Sequence, residues 1–337
     1  MRILILGGTA FLSAETARHA VALGHDVTCL ARGTSAEAPD GVTWIRADRS
    51  LGAAAFADAA GDWDAVVDVS RDPVQAKAAL ESLGSRAKHW TFVSSCSVYA
   101  DHSVPGEDES AERLEPLPAG QAGTPGTYGE SKSAIEQMTL AMVGDRAHIV
   151  RAGLIGGPGD GTDRYGYWPA RFAANSGPVL VPDIPGAATQ IIDVRDLAAW
   201  ILWAAETGLT GTYNALGAVV PFGDYISESR RLAAEAAAGG EPIWAAEDWL
   251  VEQGVDYWAG PDSVPLWLPP GHEGFQARTN RAAREQGMTL RPWQETLRDT
   301  LEDEVTRGLE RDRKAGLSRA TESRLVAELS SQRAEQR

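Results

Sequence analysis

The chain has 337 residues, 43% of them apolar, and a formal net charge of −16, so it can fill more than one core but repels nucleic-acid phosphates and acidic membranes. Its length suggests about two domains. Cys29 and Cys96 are the only cysteines, no His- or Cys-rich spacing and no apolar run of about twenty residues occurs, and no cleavable leader is expected. These features exclude a disulfide framework and a metal centre from the expectations. They favour a cytoplasmic protein, monomer or homodimer, with a small-molecule substrate.

Arg2 to Leu6 is continuously apolar after its first residue, the pattern of a parallel strand buried on both faces. It enters Gly7-Gly8-Thr9-Ala10-Phe11-Leu12-Ser13, and Ala14 to Leu23 then carries apolar residues at helical spacing before Gly24. Strand, glycine turn and helix in that order suit a dinucleotide, because a helix N-terminus offers unpaired N–H groups and a positive dipole end to a pyrophosphate. Ala10 and Ser13 stand where glycine would be ideal, and Ser13 adds bulk where helix and strand touch.

Asp26 to Ala31 reads as a second strand and ends in Arg32. An acidic residue there would hold ribose hydroxyls, whereas Arg32 can pair with a 2′-phosphate, so NADP(H) is favoured and NAD(H) is the alternative. Val42 to Arg46 is a third strand leading to Asp48, a candidate partner for the adenine amino group. An Ala-rich helix over 52–60 precedes a fourth strand, Trp63 to Val69, with Ser70 at its end as a further cofactor contact. Alternating strands and helices predict right-handed parallel crossovers in a doubly wound α/β sheet.

The fifth strand, His89 to Val93, delivers Ser94-Ser95-Cys96-Ser97-Val98-Tyr99 to the carboxyl edge of the sheet, where ligands bind in such folds. A Pro/Gly-rich loop over 102–127 has the length of an active-site cover. A helix then opens on Tyr128-Gly129-Glu130-Ser131-Lys132 and continues to Val143. Residues four apart share a helix face, so the Tyr128 phenol and Lys132 ammonium can point into one site. A fixed positive charge favours the phenolate, which brings Tyr128 toward a useful acid/base range.

In its motifs the chain resembles the extended short-chain dehydrogenase/reductases, the NAD-dependent epimerase/dehydratase group. The glycine turn keeps Gly7 and Gly8, Phe92-Val-Ser-Ser-Cys-Ser-Val-Tyr99 matches the strand-five motif, and Tyr128 and Lys132 fill Tyr-x-x-x-Lys. Arg151-Ala-Gly-Leu-Ile-Gly-Gly-Pro-Gly-Asp160, Gln190-Ile-Ile-Asp-Val-Arg-Asp-Leu-Ala198 and Gly211-Thr-Tyr-Asn-Ala-Leu-Gly217 resemble three later landmarks. The resemblance implies a Rossmann domain over 1–160 and 190–217, with Ser95, Tyr128 and Lys132 catalytic. It also implies cofactor contacts through Gly7, Gly8, Thr9, Ala10, Phe11, Leu12, Arg32, Asp48, Ser70 and Lys132.

A smaller, interleaved substrate lobe is expected over 161–189 and 218–293, with Ser97, Arg164, Tyr167, Trp168 and Arg171 as candidate substrate residues. Seven of the eleven tryptophans lie from residue 200 onward and could line an apolar pocket. A helix is expected near Tyr225 to Ala238. A charged helix from Pro292 to about Lys314, stopped by Gly316, and another from Arg319 to about Gln332, capped by Ser318, read as a solvated pair over 294–337. The resulting expectation is an NAD(P)-dependent oxidoreductase acting on a carbonyl/alcohol pair. Its alternatives are a nucleotide-sugar epimerase or dehydratase, whose diphosphate clamp would draw on Arg164, Arg171 and Arg278, and a non-catalytic cofactor-sensing or RNA-binding relative.

Overall fold

A computed structural model describes residues 1–34, 36–174, 177–236 and 239–335. In chain order the principal elements are β1 (Arg2–Leu6), α1 (Phe11–Ala22), β2 (Asp26–Ala31), β3 (Thr43–Arg46), β4 (Trp63–Asp68), α2 (Pro73–Leu83), β5 (Ala87–Ser95), α3 (Tyr128–Val143), β6 (Ala147–Ala152) and β7 (Leu154–Gly156). They continue with α4 (Tyr167–Ala173), β8 (Val179–Pro182), β9 (Ala188–Asp193), α5 (Val194–Thr207), β10 (Gly211–Ala215), β11 (Val219–Pro221), α6 (Phe222–Ala236) and β12 (Pro242–Ala245). The last four are α7 (Glu247–Glu252), α8 (Arg281–Glu285), α9 (Trp293–Arg307) and α10 (Arg319–Glu335).

The chain packs into two compact units. The first comprises Met1–Leu154, Val194–Gly217 and Arg278–Leu290. At its centre is a seven-stranded sheet in the order β10-β6-β5-β4-β1-β2-β3, parallel throughout. This is the doubly wound Rossmann-like arrangement, with the order reversing between β1 and β4. Strand periodicity explains how one apolar run serves both faces. Leu4 and Leu6 join Trp90, Phe92, Leu80 and Ile135 in the core under α2 and α3, while the intervening Ile3 and Ile5, fully buried, point to the opposite face.

One expected element differs locally. The segment 49–59 forms 3₁₀ turns broken at Gly52, whose φ of 63° interrupts helical geometry, instead of a regular helix. Asp48 caps it by accepting a hydrogen bond from Ser50 N.

The second unit comprises Ile155–Asp193, Ala218–Ala277 and Arg291–Arg337. It has a three-stranded sheet, β11-β9-β7, a parallel pair β12-β8, and a helical layer in which α4, α6 and α9 pack together. Trp168 meets Phe222 edge-on at 5.7 Å in that layer. The helix expected near Tyr225 to Ala238 is α6, and Ala237 and Ala238 lie outside the described residues.

The charged C-terminal pair is less solvated than its sequence suggests. The helix predicted to reach Lys314 ends at Gly308, which takes a φ of 96°, while Ser318 does cap α10 by accepting from Thr321 N. Glu304 and Glu322 are 1% exposed because arginines from the same unit surround them. Residues 278–290 pack with the first unit, and 291–337 with the second. Among the described residues no helix is long and apolar enough to cross a membrane.

Candidate active site

The carboxyl ends of the central strands assemble two adjoining groups of side chains. At the first, β1 runs into Gly7 and Gly8, with φ values of 139° and 98° that glycine adopts without strain. A Cβ on Gly8 would lie 2.3 Å from Cys29 Sγ on β2, so the turn crosses its neighbour strand without room for a side chain. Ala10 is the N-cap of α1 and supplies no side-chain cap, which leaves the first N–H groups of the helix free of side-chain acceptors. Ser13 fits where glycine was ideal because its hydroxyl folds back to donate to Ala10 O at 2.8 Å. Phe11 follows with a φ of 32°, and Leu12 is buried.

Beside this turn lies a cavity of about 170 Å³ lined by Gly7, Thr9, Arg32, Asp48, Arg49 and Gln75, among others. Glycines without Cβ atoms, an uncapped helix end and a polar recess at the strand-order reversal fit the pyrophosphate and adenosine portions of a dinucleotide. Arg32 is exposed. Asp48 is held below the usual carboxylate range by hydrogen bonding from Ser50, assisted by the charge of Arg32. Arg49 and Gln75 are additions that the sequence does not mark. Arg49 reaches across to Asp68 Oδ1 at 3.1 Å and to Ser70 Oγ at 2.5 Å, a pairing between residues 19 or more apart that carries no local signal.

The second group surrounds α3. Ser95 ends β5, and its Oγ donates to Ser97 Oγ and accepts from Ser97 N, both at 3.1 Å. Tyr128 opens α3 half-buried, directly before Gly129, where a Cβ would fall 2.3 Å from Ser97 O. Glycine therefore lets α3 rest on the serine turn. Lys132, 2% exposed, donates to Ser70 O at 2.6 Å and Val93 O at 2.7 Å, and its ammonium lies 5.8 Å from the centre of the Tyr128 ring. Burial pushes the Lys132 pKa down to about 7.

Residues 3–215 match the model of the NAD-dependent epimerase/dehydratase family. The chain belongs to that family. It is thus an enzyme that works with a nicotinamide cofactor, built on the extended short-chain dehydrogenase/reductase plan. The fold is similar to UDP-glucose 4-epimerase of Thermus thermophilus, with 17% identity, a TM-score of 0.65 and coverage of 91% of this chain and 99% of that one. It is similar also to UDP-N-acetylglucosamine 4-epimerase of Bacillus cereus, at 14% identity and a TM-score of 0.66, with 94% and 100% covered. WbmH of Bordetella bronchiseptica, solved with NAD+, has 16% identity and a TM-score of 0.63, with 91% and 100% covered. No curated protein sequence matches the chain.

In this family member, Glu136 extends the active face of α3 although no motif marks it. It lies one helical step beyond Tyr128 and Lys132 on the same face, a spacing that is readable in the sequence, and is fully buried. Its carboxylate accepts from Ser94 Oγ at 2.6 Å, from Arg113 at 3.0 Å and from Arg151 at 3.0 and 2.9 Å. Arg151 continues to Tyr99 OH, which donates to Asn214 Oδ1 at 2.6 Å. The network ties the end of β5, and so the Ser95 turn, to the helix that carries Tyr128 and Lys132.

The candidate substrate residues divide. Ser97 adjoins Ser95 as expected. Trp168 is fully buried and donates to Pro265 O at 2.9 Å, so it fills the second unit's interior instead of lining an open pocket. Arg164 contacts Thr162 and stacks 4.9 Å from the Trp258 ring. Arg171 is paired with Glu322, and Tyr167 and Arg171 line a cavity within the second unit. Arg278 belongs to the first unit, where it lies 3.9 Å from the centre of the Tyr99 ring and pairs with Glu107 at 3.1 Å.

Proposed function

We propose that the chain catalyses hydride transfer between a nicotinamide cofactor and a carbonyl/alcohol carbon of a small substrate, with Ser95, Tyr128 and Lys132 as the catalytic groups. The observation that carries this reading is the buried Lys132 ammonium, fixed by two carbonyl oxygens beneath the Tyr128 ring. When bound, the nicotinamide supplies or accepts the hydride. Gly7, Gly8, Thr9, Ala10, Phe11 and Leu12 present the turn to the pyrophosphate, while Asp48 and Arg32 border the adenosine recess. In its ammonium form Lys132 favours ionisation of Tyr128 and keeps one N–H beyond its two carbonyl bonds for a cofactor hydroxyl. Ser95 donates to the substrate oxygen once its proton turns from Ser97, and Tyr128 gives or takes the proton on that oxygen.

NAD(H) is the form we propose. Structural relatives solved with the cofactor carry NAD, and the preference for NADP(H) read from Arg32 finds no support among them. Asp48 also partly offsets the Arg32 charge that a 2′-phosphate would seek. A nucleotide-sugar epimerase is the second reading, supported by the family model and by the substrates in the relatives' names. In that reading the same hydride is removed and returned in one turnover.

Titrating nucleotide-stripped protein with NADH and NADPH, followed by energy transfer from tryptophan, tests the proposal. Saturable binding that prefers NADH is expected. A preference for NADPH that Arg32→Ala abolishes overturns the choice of cofactor, and binding of neither overturns the proposed site. NAD+ carried through purification moves the epimerase reading first. In either reading Tyr128→Phe keeps the cofactor affinity and lowers turnover by at least about a hundredfold. Normal turnover in that variant removes Tyr128 from the mechanism.

A further inference from the structure

In the first unit a second buried carboxylate acts on Lys132, from β4 instead of α3. Asp68 is the last residue of β4, 1% exposed, and its Oδ1 takes three donors: Ser70 N at 3.0 Å, Ser70 Oγ at 2.5 Å and Arg49 Nη1 at 3.1 Å. Its Oδ2 is buried and has no donor among the described residues. Ser70 therefore holds the carboxylate through its N–H and hydroxyl, while its carbonyl oxygen accepts from Lys132 Nζ at 2.6 Å.

Arg49 reaches the same point from the other side. It lines the recess beside the glycine turn, and a second guanidinium nitrogen donates to Ser70 Oγ at 2.5 Å, so that the hydroxyl accepts from Arg49 and donates its own proton to Asp68. The path from Arg49 through Asp68 and Ser70 to Lys132 thus joins the proposed cofactor recess to the acid/base pair, with no link longer than 3.1 Å.

The two carbonyls that orient the Lys132 ammonium are neutral, and a buried cation also needs a countercharge. Two buried carboxylates can supply it. Glu136 sits between Arg113 and Arg151, which cancel much of its field, whereas Asp68 faces Arg49 with one oxygen left over. Accordingly Asp68 is the charge that raises the Lys132 pKa most, ahead of Glu136, while Arg71 and Arg49 lower it. The other groups against the ammonium are aromatic: Phe92 on β5, 4.8 Å away, and Tyr128.

We propose that Asp68 is a positioning residue for Lys132: anchored by Arg49, it fixes the turn that carries the Ser70 carbonyl and provides the countercharge that holds the ammonium beneath Tyr128. Its role, though not its geometry, rests on the hydride-transfer reading above. A structural ion pair makes a different prediction. If Asp68 only tightened the turn, its loss would admit water to Lys132 and lift the amine toward the ordinary lysine value; loss of a countercharge lowers it instead.

The chain has four lysines, Lys77, Lys88, Lys132 and Lys314, so lysine labelled with ¹³C at the ε-carbon gives a simple NMR spectrum, in which Lys132→Met identifies the signal to follow. A titration of the nucleotide-free full chain should show a midpoint of about pH 7 for that signal. Asp68→Asn should lower the midpoint by about one pH unit, and Arg49→Gln, which removes an opposing charge, should raise it. An unchanged or raised midpoint in Asp68→Asn overturns the proposal, and a fall in Arg49→Gln removes Arg49 from it. Should Asp68→Asn fail to fold, combining it with Arg49→Gln replaces the ion pair by two neutral amides, and a midpoint at or above that of the parent overturns the proposal in the same way. The titration needs neither substrate nor cofactor. Failure of the hydride-transfer reading would appear in the turnover of Tyr128→Phe and would leave these midpoints where they are.

Discussion

Lys132 shows how a single residue can be costly to the fold and useful to the site. Its ammonium is removed from water and held by two neutral carbonyls, so burial lowers its pKa from the ordinary lysine range to about 7. In the unfolded chain the same amine stays protonated to about pH 10. Between those two values the unfolded state binds the extra proton, so the stability contributed by this residue rises with pH across the window and reaches its lowest level below pH 7. Lys132→Met removes the titration. In nucleotide-stripped protein, the urea-unfolding free energy of the parent relative to Lys132→Met should climb by about 1 kcal/mol per pH unit from roughly pH 7.5 to 9.5. A flat difference would mean that the lysine is not depressed. A lysine that titrates near neutrality can also respond to a bound cofactor, which connects the packing of one side chain to the ionisation of Tyr128.

The glycine turn between β1 and α1 makes the corresponding argument for an element. Gly8 combines a backbone conformation that disfavours a side chain with direct contact against Cys29, a fully buried residue on the neighbouring strand. Gly8→Ala should therefore cost about 2–4 kcal/mol, the sum of overpacking and a left-handed backbone penalty. It should abolish cofactor binding as well. Gly24→Ala separates the two causes: Gly24 has a φ of 81° but nothing within 4 Å of the added Cβ, so about 1 kcal/mol is expected there. Urea midpoints of both variants check the pair, and equal losses would show that Cys29 plays no part.

This turn and the helix α3 were legible because their signals are local: a strand buried on both faces, glycines at its end, and Tyr128 and Lys132 one helical turn apart. Glu136, Arg49 and Gln75 were not picked out. Glu136 had a readable spacing on α3, but its partners Ser94 and Arg151 lie on β5 and β6 and become its neighbours only when the helix packs on the formed sheet.

At the scale of the whole molecule, legibility falls from the first unit to the second for a physical reason. Parallel strands announce themselves by runs of apolar residues, which mark five of the seven strands of the sheet, while β6 and β10 are signalled only by the family resemblance of the segments they adjoin. The second unit instead depends on pairs distant in sequence, such as Arg171 with Glu322 and Asp163 with Arg311, whose members look like ordinary surface charges when read alone. The same acidic excess that hid those buried pairs sets the last expectation. At −16, long-range repulsion acts against the folded state, whereas the exposed helical pairs, including Lys77 with Glu81 and Arg281 with Glu285, contribute little individually. Sodium chloride screens both effects, but the repulsion extends over more than a Debye length and weakens first. Raising the salt from roughly 20 to 300 mM should therefore increase the melting temperature by a few degrees. Scanning calorimetry at fixed pH distinguishes the outcomes. A rise identifies net repulsion as the dominant surface term, and a fall would show that the local ion pairs, most of all the buried arginine clusters of the second unit, outweigh it.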